Sequence, residues 1–226
     1  MLALLYDIHG NLPSLEAVLD DAQGAGADRF LLGGDYAAFG AWPAETVELL
    51  RTLDARWLRG NVDRWTLDSA EAPEPARPAL NRCRELLGDE TAIELAALPA
   101  SLSEGEDLYV HGSPVSDVRS FMPDPHADDE ELIADARPRR LVFGHTHVSF
   151  ARTGPHGVEL LNPGSVGMPF DGDHRAAYAL VREDGTVEPR RVAYDHAASA
   201  AAVRDVLGEA GELPARRIER ARFDAA

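Results

Sequence analysis

The feature that most constrains the fold is a series of short apolar segments, each of which ends in a polar cluster containing Asp, Asn or His. The first three segments are residues 2–6, 30–32 and 55–58. Apolar runs of this length are typical of buried strands. Helical spacing of apolar residues occupies the intervals 12–22 and 44–53. Strands that alternate with helices predict βαβ units and a parallel sheet.

The rest of the chain has a different pattern, in which hairpins dominate. We predict an acidic, proline-rich loop over 68–78, helices over 79–87, 91–98, 128–136 and 197–207, a strand over 141–143, and hairpins over 101–110, 148–161 and 176–193. The predicted fold class is therefore α/β, a two-sheet β-sandwich flanked by helices. We expect a single domain over 1–226, with 212–226 forming either a helix or a mobile tail.

Charge and cysteine content exclude several classes of protein. All 22 basic residues are Arg against 39 acidic residues, which gives a net charge of −17. Without Lys there is no P-loop lysine and no Schiff-base lysine. The acidic excess argues against a non-specific nucleic-acid coat or binding to anionic membranes. The lone Cys83 excludes an intrachain disulfide. With no membrane span or targeting segment in the pattern, we expect a soluble cytoplasmic protein.

The polar clusters supply side chains that bind metal ions. The candidate ligands are Asp7, His9, Asp35, Asn61, His111, His145 and His147. Loops at the ends of strands in an α/β sheet can converge on one site. In an extended chain, Asp7 and His9 would point the same way, as would His145 and His147. Imidazole mixed with carboxylate and amide favours Mn, Fe, Zn or Ni over Ca or Mg. Seven ligands exceed one tetrahedral zinc but fit two metals that share a carboxylate.

The clusters D-x-H, G-D, G-N, H-G and G-H-T-H occur in this order and are followed by NPGSVG at 162–167. This set resembles the calcineurin-like metallophosphoesterases, and the DIHGN opening is most similar to their small bacterial and archaeal phosphodiesterases. The resemblance implies a four-layer α/β/β/α sandwich and a phosphodiesterase in which a hydroxide bridging two divalent transition-metal ions, preferably Mn, attacks phosphorus. It places Asp7, His9 and His147 on one ion, Asn61, His111 and His145 on the other, and Asp35 between them.

The block Gly60-Asn61-Val62-Asp63 departs from the pattern that the resemblance implies. Many members of that family have His at the position of Val62, where it is thought to protonate the leaving oxygen. We therefore expect slower turnover and dependence on a good leaving group, because general acid catalysis contributes roughly 10²–10⁴-fold. Asn61 and Asp63 are the residues of this block to which we assign catalytic roles.

The expected partner is a small phosphorylated substrate such as a nucleotide, with no membrane partner, and the oligomeric state stays open. Three residues are candidates for contact with that substrate. Asn11 can either cap the following helix or face the phosphate, Arg64 can pair with a phosphate, and His174 follows the NPGSVG block. The alternative functions are a phosphomonoesterase acting on a small molecule or a phosphoprotein, and a non-catalytic metal-binding scaffold.

Overall fold

Two five-stranded sheets stack face to face in the computed structural model, which describes residues 1–224. Within these residues the strands are β1 (Leu2–Leu5), β2 (Arg29–Leu32), β3 (Ala55–Trp57), β4 (Ser101–Glu104), β5 (Asp107–Val110), β6 (Arg140–Val142), β7 (Phe150–Thr153), β8 (Glu159–Asn162), β9 (Ala176–Val181) and β10 (Val187–Val192). The α-helices in the same range are α1 (Leu12–Gly24), α2 (Pro43–Leu50), α3 (Asn61–Leu67), α4 (Arg77–Leu87), α5 (Asp89–Ala96), α6 (Asp129–Ile133), α7 (His196–Leu207) and α8 (Glu212–Arg220).

Both sheets are mixed, and each contains three adjacent parallel strands. The first has the order β10-β9-β1-β2-β3, in which β1, β2 and β3 are parallel. The second has the order β4-β5-β6-β8-β7, in which β5, β6 and β8 are parallel. Parallel strands end at the same edge of their sheet. The loops that follow β1, β2 and β3, and those that follow β5 and β6, are therefore available for a common site.

Apolar side chains fill the space between the sheets and cover their outer faces. The layer between the sheets includes Leu4, Tyr6, Leu31, Tyr109 and Val142. Side chains of α1, α2 and α5 cover the first sheet, and α6 contributes to the layer over the second. A separate cluster joins α4, α7 and α8 beyond the sheet edge. No helix among the described residues is long and apolar enough to cross a bilayer.

The predicted α/β sandwich is confirmed, and the differences are local. Helix α3 was not predicted, because a seven-residue helix after Gly60 is too short for a clear apolar period. The predicted loop over 68–78 contains two short 3₁₀ turns, and the helix predicted over 128–136 is limited to Asp129–Ile133. The C-terminal segment takes the helical alternative over Glu212–Arg220, where Glu219 accepts hydrogen bonds from Arg204 of α7. Residues 225–226 of the predicted tail lie outside the described residues.

Shortening a side chain in the layer between the sheets tests this packing. Leu4 is fully buried, so Leu4→Ala is expected to lower the free energy of unfolding by about 2–5 kcal/mol in urea titrations. The matched control is Ile93→Ala on the surface of α5, where Ile93 is 55% exposed. A comparable loss in both variants would contradict the assigned core.

Candidate metal centre

Side chains that follow five strands of the two sheets meet at one edge of the sandwich. Asp7 follows β1, Asp35 follows β2, Asn61 follows β3, His111 follows β5, and the pair His145 and His147 follows β6. All are buried except His145, which is partly exposed. The structure therefore brings together the candidate ligands that are far apart in the sequence.

One group of donors consists of Asp7, His9 and His147. The Nε2 atoms of His9 and His147 lie 3.1 Å apart, and Nε2 of His147 lies 3.5 Å from Oδ1 of Asp7. The ligand atoms of this group all lie within 4.8 Å of one another. Two imidazoles and a carboxylate at this spacing can bind one transition-metal ion.

A second group surrounds Asp35. Its Oδ2 lies 3.3 Å from Nε2 of His111 and 3.9 Å from Nε2 of His9, so this oxygen faces both groups. The amide oxygen of Asn61 lies 2.9 Å from Nδ1 of His145 and 2.9 Å from Nε2 of His111. This amide orientation suits a cation between the oxygen and the two rings, whereas a rotated amide would donate to both rings.

Backbone carbonyls orient three of the four histidines. Nδ1 of His9 donates to Ala38, Nδ1 of His111 donates to Gly33, and Nδ1 of His147 donates to Met168, at 3.1, 2.9 and 2.6 Å. A neutral ring that donates from Nδ1 presents the Nε2 lone pair on its other side. This is the arrangement that metal-binding histidines require.

The backbone at these residues is left-handed. The φ angles of Asp7, His9, Asp35, His145 and His147 lie between 53° and 66°, and such a conformation costs about 1 kcal/mol or more for a residue other than Gly. We predicted that an extended chain would direct Asp7 and His9 to the same side, and likewise His145 and His147. The prediction of an extended backbone is wrong. The side chains converge because sharp turns at the strand ends direct them inward.

Buried charge determines the electrostatics of the site. Burial raises the pKa of Asp7 to about 8, with a further increase from the charge of Asp35. Burial opposes ionisation of Asp35 as well, but the charge of His111 holds its pKa below the usual range. Although burial lowers the pKa of His111, Asp35 and Asp7 raise it to about 10. The two carboxylates thus require nearby positive charge, which a proton on His111 or a bound cation can supply.

The donor set fits divalent cations. Oδ1 of Asp7 is buried and has no hydrogen-bond partner among residues 1–224, and it faces the Nε2 atoms of His147 and His111 at 3.5 and 3.8 Å. Buried polar atoms without partners are rare in folded proteins. A cation would engage this oxygen together with the neighbouring lone pairs. The residues present therefore match the chemistry of a metal centre.

Asp63 does not face the centre, so its predicted catalytic role requires correction. Its carboxylate accepts hydrogen bonds from the backbone N–H groups of Asp35, Tyr36 and Gly60 at 2.9, 3.0 and 2.8 Å. Both oxygens are thus used to join the loops after β2 and β3. Glycine at position 60 is required for this close approach, because a Cβ there would collide with the Asp35 side chain. Asp63 is a positioning residue.

The three residues predicted to contact the substrate have partners within the protein, and their contact with a substrate stays a prediction. Asn11 makes no side-chain helix cap, because its amide nitrogen donates to Gly167 O and to the Tyr194 hydroxyl, and its Oδ1 has no hydrogen-bond partner among residues 1–224. Arg64 pairs with Asp117 and Glu71, which occupy its guanidinium. His174 stacks on His196 at 4.4 Å between ring centroids and does not line the cavity over the centre. Each side chain has partners distant in the sequence, which local patterns do not reveal.

A cavity of about 830 Å³ opens over the centre. Its wall combines the ligands His9, Asp35, Asn61, His145 and His147 with apolar side chains that include Phe39, Trp65, Met168, Phe170 and Phe223. Phe170 and Arg217 also line the cavity, and neither was among the residues predicted from the sequence. No local pattern singles out Arg217, because its place in the cavity wall depends on how α8 packs against the rest of the structure.

Comparison with known proteins agrees with this geometry. The model of the calcineurin-like phosphoesterase superfamily domain matches residues 1–186. The chain belongs to this superfamily. Its membership supports a metal-binding hydrolase of phosphoesters, and the resemblance of the sequence motifs to this family is confirmed.

Individual relatives span nearly the whole chain. The crystal structure of a metallophosphoesterase from Sphaerobacter thermophilus is similar, with a TM-score of 0.81, 28% identity, and coverage of 97% of this chain and 98% of that one. The hypothetical protein PH1004 of Pyrococcus horikoshii OT3 shares the fold, with a TM-score of 0.80, 24% identity, and coverage of 94% and 96%. The uncharacterized protein MJ0912 of Methanocaldococcus jannaschii is 29% identical over an alignment that covers 86% of this chain and 88% of that protein.

The positioning role of Asp63 predicts a loss of stability that does not depend on turnover. Asp63→Ala leaves three buried N–H groups without an acceptor, and we expect the free energy of unfolding to fall by about 3 kcal/mol or more in the presence of a chelator. Asp68→Ala is the control, since within residues 1–224 its exposed carboxylate accepts only from Ala70 N–H. Equal stability of the two variants in urea titrations would contradict the role.

Proposed function

We propose that this protein is a dinuclear, divalent-metal-dependent phosphoesterase that prefers phosphodiesters. The observation that carries the proposal is the convergence of two donor groups, joined by Asp35, on the floor of a large cavity. Asp35 Oδ2 faces His111 of one group and His9 of the other. Paired ions of this kind are a recurrent device for phosphoester hydrolysis.

The charge of the site suits a phosphate only when cations are bound. The protein has a net charge of −17, and two of its acidic residues, Asp7 and Asp35, are buried at the centre. Two divalent ions would outweigh these carboxylates and make the site locally positive. Bound divalent ions supply charge stabilisation for the phosphoryl oxygens and a hydroxide at neutral pH.

Hydrogen bonds within the protein orient the candidate metal ligands. Asp35 accepts the Val62 N–H at 2.8 Å through Oδ1, which leaves Oδ2 directed at the centre. The carbonyls of Ala38, Gly33 and Met168 hold three imidazoles with Nε2 directed inward. Electrostatic preorganisation of this kind stabilises developing charge without rearrangement during the reaction.

The apolar wall of the cavity supports the proposed preference for diesters. A diester carries a second ester substituent, whereas a monoester carries a second negative charge. Phe39, Trp65 and Phe170 form an apolar wall beside the ligands, and such a wall favours contact with an organic substituent. A panel of nitrophenyl monoesters and diesters distinguishes this proposal from a phosphomonoesterase.

Substitution of the ligands Asp35 and His111, or removal of the metal, tests the proposed metal-dependent hydrolysis directly. Asp35→Asn and His111→Ala are expected to lower kcat/KM for bis(p-nitrophenyl) phosphate by about 10³-fold or more, because charge stabilisation is lost. Chelation should abolish hydrolysis, and Mn²⁺ should restore it. Surface substitution Arg82→Gln is the control. A metal-loaded, folded wild-type protein that hydrolyses neither monoesters nor diesters would favour the scaffold alternative.

Val62 lines the cavity where a general acid would be useful, and this predicts sensitivity to the leaving group. Wild-type rates should fall steeply as the pKa of the leaving alcohol rises, since no imidazole at this position donates a proton. Val62→His should raise the rate on alkyl esters by about tenfold or more and change aryl esters much less. Val62→Ala controls for altered packing. Equal wild-type rates across leaving groups would contradict the prediction.

A further inference from the structure

Arg217 is a cationic side chain in the wall of the cavity over the metal centre. It lies on α8, outside the residues that the superfamily model matches. Its Nε donates to the carbonyl of Phe223 at 3.0 Å. Its guanidinium carbon lies 4.2 Å from the ring centroid of Phe223 and 5.8 Å from that of Phe170. The side chain is thus half-buried between aromatic rings.

Arg217 has no carboxylate within ion-pair distance among residues 1–224, although the chain carries a large acidic excess. The neighbouring Arg216 lies 3.5 Å from Glu212, and Arg204 pairs with both Glu212 and Glu219. Arg77 also lines the cavity, but its guanidinium donates to the carbonyls of Ala70 and Ala72. Arg217 is the cavity cation whose terminal nitrogens have no protein acceptor within the described part of the chain.

Arg217 lies close to the candidate metal centre, on the far side of the Phe170 ring from His147. The ring of Phe170 stacks on His147, with 4.3 Å between centroids and an angle of 10° between planes. One aromatic ring therefore separates the guanidinium from a candidate metal ligand. Arg217 and the candidate ligands His9 and His147 line the same cavity.

The hydrogen bond and the aromatic contacts hold Arg217 in place but leave its terminal nitrogens without an acceptor among residues 1–224. Partial burial of a cation away from carboxylates is unfavourable, and burial lowers the pKa of Arg217. Guanidinium groups bind phosphate and carboxylate oxygens through several parallel hydrogen bonds. A cation that is held in place by a carbonyl and two rings, with its terminal nitrogens free, is suited to an anionic ligand.

We propose that Arg217 binds a second anionic group of the substrate, beyond the phosphorus that is attacked, while Phe170 and Phe223 contact the organic part between them. The substrate class is then a phosphodiester that carries a further phosphate and an apolar or planar group. This inference rests on the proposed phosphoesterase function, which it narrows to a substrate class.

The test compares two substrates that release the same nitrophenolate. One is the p-nitrophenyl ester of thymidine 5′-phosphate, and the other is the same ester with an additional 3′-phosphate. Arg217→Gln is expected to raise KM for the 3′-phosphorylated ester about tenfold more than for the ester without it, because a charge-assisted contact is lost. Arg217→Lys should recover part of the effect, since it restores the charge without the planar geometry.

Arg216→Gln is the matched control, because it removes the same charge from the adjacent position of α8. It should leave both KM values close to those of the wild type. Calorimetric binding of thymidine 3′,5′-bisphosphate to the Mn²⁺-loaded protein gives a readout that does not require turnover. Affinity should fall about tenfold in Arg217→Gln and stay unchanged in Arg216→Gln. Urea unfolding of each variant shows that the fold is retained.

The outcomes separate this inference from the proposed function. If the wild type hydrolyses neither ester but binds the bisphosphate in a manner that depends on Arg217, the phosphoesterase proposal fails and the anion site stands. If the wild type hydrolyses both esters and Arg217→Gln affects them equally or not at all, the second-anion site is refuted. Failure of the bisphosphate to bind the wild type also refutes it.

Discussion

The structure depends on the burial of two carboxylates, Asp7 and Asp35, at the edge where the two sheets meet. An isolated buried charge is unfavourable by several kcal/mol, so such groups persist only beside hydrogen-bond donors or opposite charge. The N–H of His145 donates to Asp7, and the N–H of Val62 donates to Asp35. The remaining oxygens face imidazole nitrogens, and this leaves a place for cations at the centre.

The sandwich provides the rigidity that this arrangement requires. Left-handed turns at the ligand residues are unfavourable on their own and must be held by their surroundings. Asp63 joins the loops after β2 and β3, while Ser165 donates to the carbonyl of Asp7 and accepts from Met168 N–H. Asn11 connects α1 to the same turn through Gly167. Residues outside the centre therefore determine its geometry.

The accuracy of the sequence predictions differs between local and distant interactions. The strands and most helices were predictable because short apolar runs and helical spacing are properties of neighbouring residues. Helix α3 was not predicted, because seven residues are too few to show a clear apolar period. The pairing of Arg64 with Asp117, which lies 53 residues away, could not be predicted from local sequence. The amide of Asn11 donates to the carbonyl of Gly167, which lies 156 residues away, so this contact could not be predicted from local sequence.

The amino-acid sequence by itself determined the chemical identity and order of the donors, since each follows an apolar strand and carries a side chain that binds metals. Only the tertiary structure decided which polar residues face the cavity and which are occupied by other partners. It also placed Arg217 of α8 over the centre, separated from His147 by a single ring. The physical reason is that ligand type is a property of one residue, whereas an unpaired charge depends on every element packed around it.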